Sequence, residues 1–151
     1  MLVVQSNLAI TYKHIGRLEE SVLMLRDVYC GHLKLEGEEH RETIREAVNY
    51  AASLGDLQRF GEIKVLLRKM MPVARRVLGE SHDVTFKMRW SYAIALYADD
   101  DATLDDLREA VTMLEDIART ARRVFGGAHP NTVQTECRLR DARTALRARE
   151  T

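Results

Sequence analysis

The sequence predicts an all-α solenoid, an array of antiparallel helix pairs with about seven helices, and three observations carry that prediction. The first is a phrase that occurs three times: Gly37-Glu38-Glu39-His40-Arg41-Glu42-Thr43, Gly79-Glu80-Ser81-His82-Asp83-Val84-Thr85 and Gly126-Gly127-Ala128-His129-Pro130-Asn131-Thr132. His40 to His82 is 42 residues and His82 to His129 is 47, and a fixed period of this size marks stacked repeat units rather than one closed core. The second is that neighbouring segments fall into the same register, with Asn7-Leu8-Ala9-Ile10, Asn49-Tyr50-Ala51-Ala52 and Ser91-Tyr92-Ala93-Ile94 each 42 residues apart. The third is composition: two prolines, eight glycines and few β-branched runs in 151 residues suit neither a β-fold nor a disordered chain.

Each unit reads as two helices. The first helix, 1–14, carries Ala9, and the small residues Ala51 and Ala93 recur at the same place on the third and fifth helices, where a close approach of two helices excludes bulk. The second, 18–35, places Leu18, Val22, Leu25, Val28 and Tyr29 on one face at helical spacing. The third (41–54) and fourth (58–78) follow at the repeat distance, Arg59-Phe60-Gly61-Glu62-Ile63 lying in register with Arg17-Leu18-Glu19-Glu20-Ser21. The fifth is 83–98. Five extra residues near Asp99-Asp100-Asp101-Ala102-Thr103 precede the sixth, 104–125, whose apolar face is Leu107, Val111, Leu114, Ile117 and Ala118; such an insertion lengthens a surface turn and leaves packed faces alone. The seventh, 130–149, begins at Pro130, a residue tolerated in the first turn of a helix. The expected organisation is one array over 1–151, with repeats at about 1–40, 41–82 and 83–129 and a capping helix at 130–149. The chain starts inside a helical pattern with no capping residue ahead of it, which predicts a fragment of something longer.

In the repeated phrase the glycine suits the left-handed conformation that closes a helix, and the histidine is expected to cap or pack into the turn between units. Three regularly spaced imidazoles invite a metal reading, and geometry opposes it. Equivalent positions in stacked units lie about 20 Å apart for two helix layers, whereas zinc needs its ligands within about 2 Å of one centre. The acidic cluster Asp99, Asp100, Asp101, Asp105 and Asp106 lacks the spacing, glycine and terminal glutamate of a calcium loop. A solvated turn with acids at a helix N-terminus is expected, capped by Thr103 or Asp101. No metal and no cofactor are predicted.

Lys plus Arg equals Asp plus Glu at 23 each, so no overall positive field favours nucleic acid. The last helix has a local basic face of Arg138, Arg140, Arg143, Arg147 and Arg149 against Glu136, Asp141 and Glu150, without interleaved aromatics. Arg140 stands where the other first helices have Ala9, Ala51 and Ala93, so this helix reads as a polar terminal cap. Cys30 and Cys137 form no CxxC pair, which predicts no disulfide or zinc framework and a reduced, cytoplasmic setting. No membrane span and no catalytic residues are predicted: Cys30 and His32 are two apart on one helix and face different ways. Trp90, Met70 and Met71 are expected to fill core or inter-helix space, and Cys137, one turn past Val133 on an apolar stripe, is expected to pack.

Taken together, His129-Pro130-Asn131-Thr132, Asn7-Leu8-Ala9-Ile10-Thr11-Tyr12 and Gly16-Arg17-Leu18-Glu19-Glu20-Ser21 resemble the turn, first-helix and inter-helix segments of tetratricopeptide repeats of the kinesin light chain-like type. The resemblance covers nearly the whole chain. Arg41 and Asp83 stand in place of its proline, Leu54 and Leu96 in place of its tyrosine, and Gln58 in place of a turn glycine, which touches turn geometry rather than fold. The resemblance implies a right-handed superhelix whose concave wall is lined by first helices, with asparagines for a peptide backbone and basic residues for carboxylates. The matching positions are Asn7, Asn49, Ser91 and Arg138, with Arg45 and Lys87 a turn before the second and third. An amide both donates and accepts, which suits any peptide bond, and arginine adds bidentate carboxylate recognition. The expected function is a noncatalytic interaction scaffold binding a protein or peptide in this groove. Two alternatives stand beside it: a subunit of a larger complex stacking through its repeat ends, and nucleic-acid binding by the basic last helix.

Overall fold

The computed structural model describes residues 1–151 as seven α-helices: α1 (Leu2–His14), α2 (Leu18–Glu36), α3 (Arg41–Asp56), α4 (Phe60–Leu78), α5 (Asp83–Ala98), α6 (Leu104–Phe125) and α7 (Pro130–Glu150). Two compact units, Met1–Met88 and Arg89–Thr151, divide the chain within α5. No helix is long and apolar enough to cross a membrane.

In the first unit α1 packs on α2, α2 on α3 and α3 on α4. The small residues do what their register predicts: Ala9 and Ala51 are fully buried, and Ser21 of α2 donates its hydroxyl to the Ala9 carbonyl at 2.7 Å. Around them Val22, Leu25 and Val28 of α2, Ile44 and Leu54 of α3, and Leu67 and Met70 of α4 form a continuous apolar interior. Tyr29 and Tyr50 stack with ring centres 6.2 Å apart, and burial pushes both phenols up. Pro72 lies exposed within α4, where it has no N–H to give to the carbonyl of Arg68 one turn earlier.

The repeated phrase is a three-part joint. Gly37, Gly79 and Gly126 close α2, α4 and α6 with φ of +85°, +93° and +87°. The positive φ is as expected, but ψ of 171°, 161° and 162° places all three in the extended positive-φ region rather than the left-handed helical one; that region is essentially restricted to glycine. Next, the histidines cap. The Nδ1 atoms of His40, His82 and His129 accept the backbone N–H of Glu42, Val84 and Asn131 at 3.2, 3.1 and 3.2 Å, the role more often taken by Ser or Asp. Only a neutral imidazole with its proton on Nε2 has that lone pair to offer. His40 Nδ1 also lies 2.9 Å from Glu36 Oε2, a contact that needs a protonated nitrogen; the neutral cap is the arrangement shared by all three sites. Last, Thr43, Thr85 and Thr132 are fully buried, and Thr85 donates toward the Ala74 carbonyl of the helix just closed at 3.5 Å.

The helix limits match the sequence reading within two residues, and α4 starts at Phe60 rather than 58 for a physical reason. Gln58 is the non-glycine residue with positive φ (+56°), at the turn position where the preceding pair has Gly16 (φ +82°). A Cβ costs about 1 kcal/mol in that conformation. Gln58→Gly is therefore expected to raise stability by about 0.5–1 kcal/mol, part of the relief being offset by the freer unfolded chain. Chemical denaturation checks it, and a neutral or destabilising result would show that Gln58 makes compensating contacts.

In the second unit α6 packs on α7 through Leu114, Ile117, Leu139 and Ala142, all buried. Thr103 caps α6 reciprocally: Thr103 Oγ1 accepts the Asp106 N–H and Asp106 Oδ2 accepts the Thr103 N–H, both at 3.1 Å. Asp99 accepts the N–H of Asp101, so the acidic cluster serves a turn and a cap. One expectation is overturned. Cys137 is exposed and so is Val133, because the buried stripe of α7 runs through Thr132, Thr135, Leu139 and Ala142 and leaves 133 and 137 on the solvent side.

Candidate functional site

Two first helices meet in the first unit around a buried carboxylate. Glu46 of α3 is 1% exposed, and its oxygens accept the Ser6 hydroxyl of α1 at 3.1 and 3.2 Å and the Asn49 side-chain N–H at 3.2 Å. Arg45 Nη2 lies 3.5 Å from the same carboxylate and 2.5 Å from Glu42. A charge can stay buried when hydrogen bonds satisfy it from several sides, and here they come from two helices. The consequence is positional: Asn49, half-buried one turn along α3, is held by one of its two amide N–H groups, leaving the other N–H and the carbonyl oxygen open.

Asn7 is exposed on α1 next to Ser6. The Ser6–Glu46 bond joins α1 to α3 beside Arg45 and Asn49, and Asn7 adjoins Ser6 along the chain. Arg45, expected to hold a ligand carboxylate, already faces two carboxylates of its own helix. Lys87, at the end of the first unit, is exposed and paired with Asp83 at 2.9 Å. In the second unit Ser91 is half-buried on α5, while Arg138 of α7 lies 3.8 Å from Asp141 and hydrogen-bonds Tyr97, whose phenol is pushed up by burial with Arg138 opposing the shift. The basic residues of the expected site are thus engaged internally, and the amides are the freer groups.

The residue that sequence reading missed is Glu46. Its signal was present in the register: Met88 and Thr135 occupy the equivalent positions on α5 and α7 and are fully buried, so a glutamate there is a charge at a core position. Arg89 is a second such case, 5% exposed and bonded to Asp116 of α6.

With this geometry in place, comparisons with known proteins agree on the fold. The tetratricopeptide repeat model matches residues 2–42 and 100–131. Among solved structures, the nearly identical TPR-like repeats of a Podosopora anserina protein described as a kinesin light chain are similar at 22% identity and a TM-score of 0.76, covering 99% of this chain and 68% of that one. A variant of the same protein gives a TM-score of 0.79 at the same identity and coverage. BtubC (BKLC) from P. vanneervenii is similar at 18% identity and a TM-score of 0.78, covering 95% of this chain and 56% of that one. A search of curated proteins finds no match. Two stretches of the chain thus match the tetratricopeptide repeat model, and the whole chain shares the helical-solenoid fold of solved repeat structures described as kinesin light chain-like.

Proposed function

We propose that the chain is a noncatalytic interaction module that holds an extended peptide on the face of α1 and α3, with Asn7 and Asn49 reading the peptide backbone. Solenoid repeats present extended surfaces suited to partners of this kind. The observation that carries the reading is the fixed amide of Asn49, anchored on Glu46 with a donor and an acceptor left over. A preorganised amide loses little freedom when a peptide bond arrives. Arg45 is occupied by Glu42 and Glu46, so recognition rests on the amides, and a ligand carboxylate would have to displace an existing pair.

The test uses a partner isolated by co-purification with the intact chain. Asn49→Ala combined with Arg45→Glu is expected to weaken its binding about tenfold or more, from two lost hydrogen bonds at about 1 kcal/mol each and a reversed charge. The Asn7→Ala variant should weaken it less. Unchanged affinity in the double variant, with helicity retained, would move the binding surface elsewhere.

A further inference from the structure

The joint between α2 and α3 differs from the other two in what surrounds its histidine. Where α4 and α6 bury Ala74 and Ala121 completely, α2 has His32, 6% exposed, and where they have Leu78 and Phe125, α2 has Glu36. We propose that His32, Glu36 and His40 form an acid-sensitive switch, in which protonation moves His40 from capping α3 to pairing with Glu36 of α2.

The geometry sets two partners in competition for one nitrogen. His40 Nδ1 lies 3.2 Å from the Glu42 backbone nitrogen, whose N–H it can only accept, and 2.9 Å from Glu36 Oε2, to which it can only donate. A neutral ring with its proton on Nε2 therefore serves α3, and an imidazolium serves α2. Helix dipoles act in the same direction, because His40 stands between the C-terminal end of α2, which favours a cation, and the N-terminal end of α3, which disfavours one. His32 holds the acid in place: a carboxylate has no proton to give, so His32 Nδ1–H donates to the same Oε2 at 2.9 Å and keeps it beside His40. That bond accounts for an imidazole at a position where the later repeats bury alanine.

The surrounding charges leave this pairing in place. α1 and α3 pack on α2. α1 carries no acid, and it brings Leu2 against Gly31 with the Met1 amine next along the chain. On α3 the Glu42 carboxylate is held by Arg45 at 2.5 Å, and Arg41 is exposed. In the joint itself Glu39 is taken by Arg76 of α4 at 2.6 Å, while Glu38 acts on Tyr29. Glu36 is thus the carboxylate in contact with His40. His82 and His129 lack an acid at that position: Leu78 stands there at the second joint, and at the third the Phe125 ring stacks on His129 with centres 4.6 Å apart. At those joints an imidazolium gains no carboxylate from the last turn of the helix just closed.

Proton and nitrogen NMR of the full chain between about pH 8 and about pH 5, the range in which imidazoles titrate, tests the switch. On acidification the His40 ring is expected to change from an Nδ1 that accepts to an Nδ1–H that donates, and the Glu42 amide to lose about fivefold of its protection against exchange, the worth of one cap. Because a neighbouring anion favours the charged ring, this change should come at higher pH than loss of the caps on the Val84 and Asn131 amides. Glu36→Leu, which copies the second joint, and the isosteric Glu36→Gln should both bring the Glu42 amide into line with those two. His32→Ala, which copies Ala74, should move it part of the way. Circular dichroism near neutral pH should match the wild type in Glu36→Gln, since the Glu36 side chain is 35% exposed and keeps its shape. Loss of all three caps together in the wild type, an unchanged Glu42 response in Glu36→Gln, or a His40 Nδ1 that accepts throughout the range would each overturn the proposal.

Discussion

Gly79→Ala is expected to lower stability by about 2 kcal/mol, within the 1–3 kcal/mol that residues with a Cβ lose in sparsely populated backbone regions. Gly79 closes α4 at φ +93° and ψ 161°. A Cβ built there meets nothing within 4 Å, so the cost is local to the backbone and cannot be relieved by moving a neighbour. The chain can escape it only by changing φ, and that would swing Thr85 away from the Ala74 carbonyl of the helix just closed. The loss should appear as a drop in melting temperature of roughly 4–8 °C for a chain of this size. Gly61→Ala supplies the control. Gly61 lies in the first turn of α4 with an ordinary φ and open space around a new Cβ, so alanine should stabilise there by about 0.5–1 kcal/mol. A Gly79→Ala variant as stable as Gly61→Ala would mean that the joint tolerates another backbone conformation.

The same joint explains why so much of this fold was legible. Glycine, histidine and threonine recur at fixed offsets because each solves one part of a single problem: ending a helix, starting the next and sealing the turn between them. That solution is local, so it survives in the sequence as a phrase. Helical periodicity supplied the rest, since Val22, Leu25 and Val28 face one way whatever they pack against. What the sequence withheld depends on contacts between helices. Glu46 finds Ser6 across 40 residues; its sequence neighbours do not distinguish it from a solvated acid such as Glu42, and only its register with Met88 and Thr135 marks the position as core. Cys137 shows the converse. Val133 and Cys137 have helical spacing, but which of several possible stripes α7 buries is chosen by α6, and the choice fell on Leu139 and Ala142. Arg45 lies on α3 and Arg138 on α7, and their partners Glu42, Asp141 and Tyr97, which no local pattern announces, decide how free their charges are.

Glu46→Ala is expected to cost about 3 kcal/mol, because removing one member of a buried, hydrogen-bonded polar cluster leaves its partners unpaired. Ser6 is 5% exposed, so its hydroxyl loses both acceptor contacts with little solvent to replace them. Arg45 is half exposed and adds little to the loss. Glu46→Met should be far milder, about 1 kcal/mol, since a methionine of similar volume keeps the space filled and leaves the Ser6 hydroxyl as the one fully buried group without its acceptor, the Asn49 N–H being half-buried and within reach of water; α5 already buries Met88 at the equivalent position. The two variants separate stability from recognition. In Glu46→Met the fold should persist, but Asn49 loses the acceptor that fixes its amide, so peptide affinity should fall several-fold although Glu46 itself is too buried to touch a ligand. Restoring the acceptor with Glu46→Gln should recover most of that affinity, its side-chain carbonyl oxygen accepting the Asn49 N–H in place of the carboxylate. Wild-type affinity in Glu46→Met would show that the asparagine needs no anchor, and an equal loss in Glu46→Gln would show that the negative charge, rather than the position of the amide, is what the peptide reads.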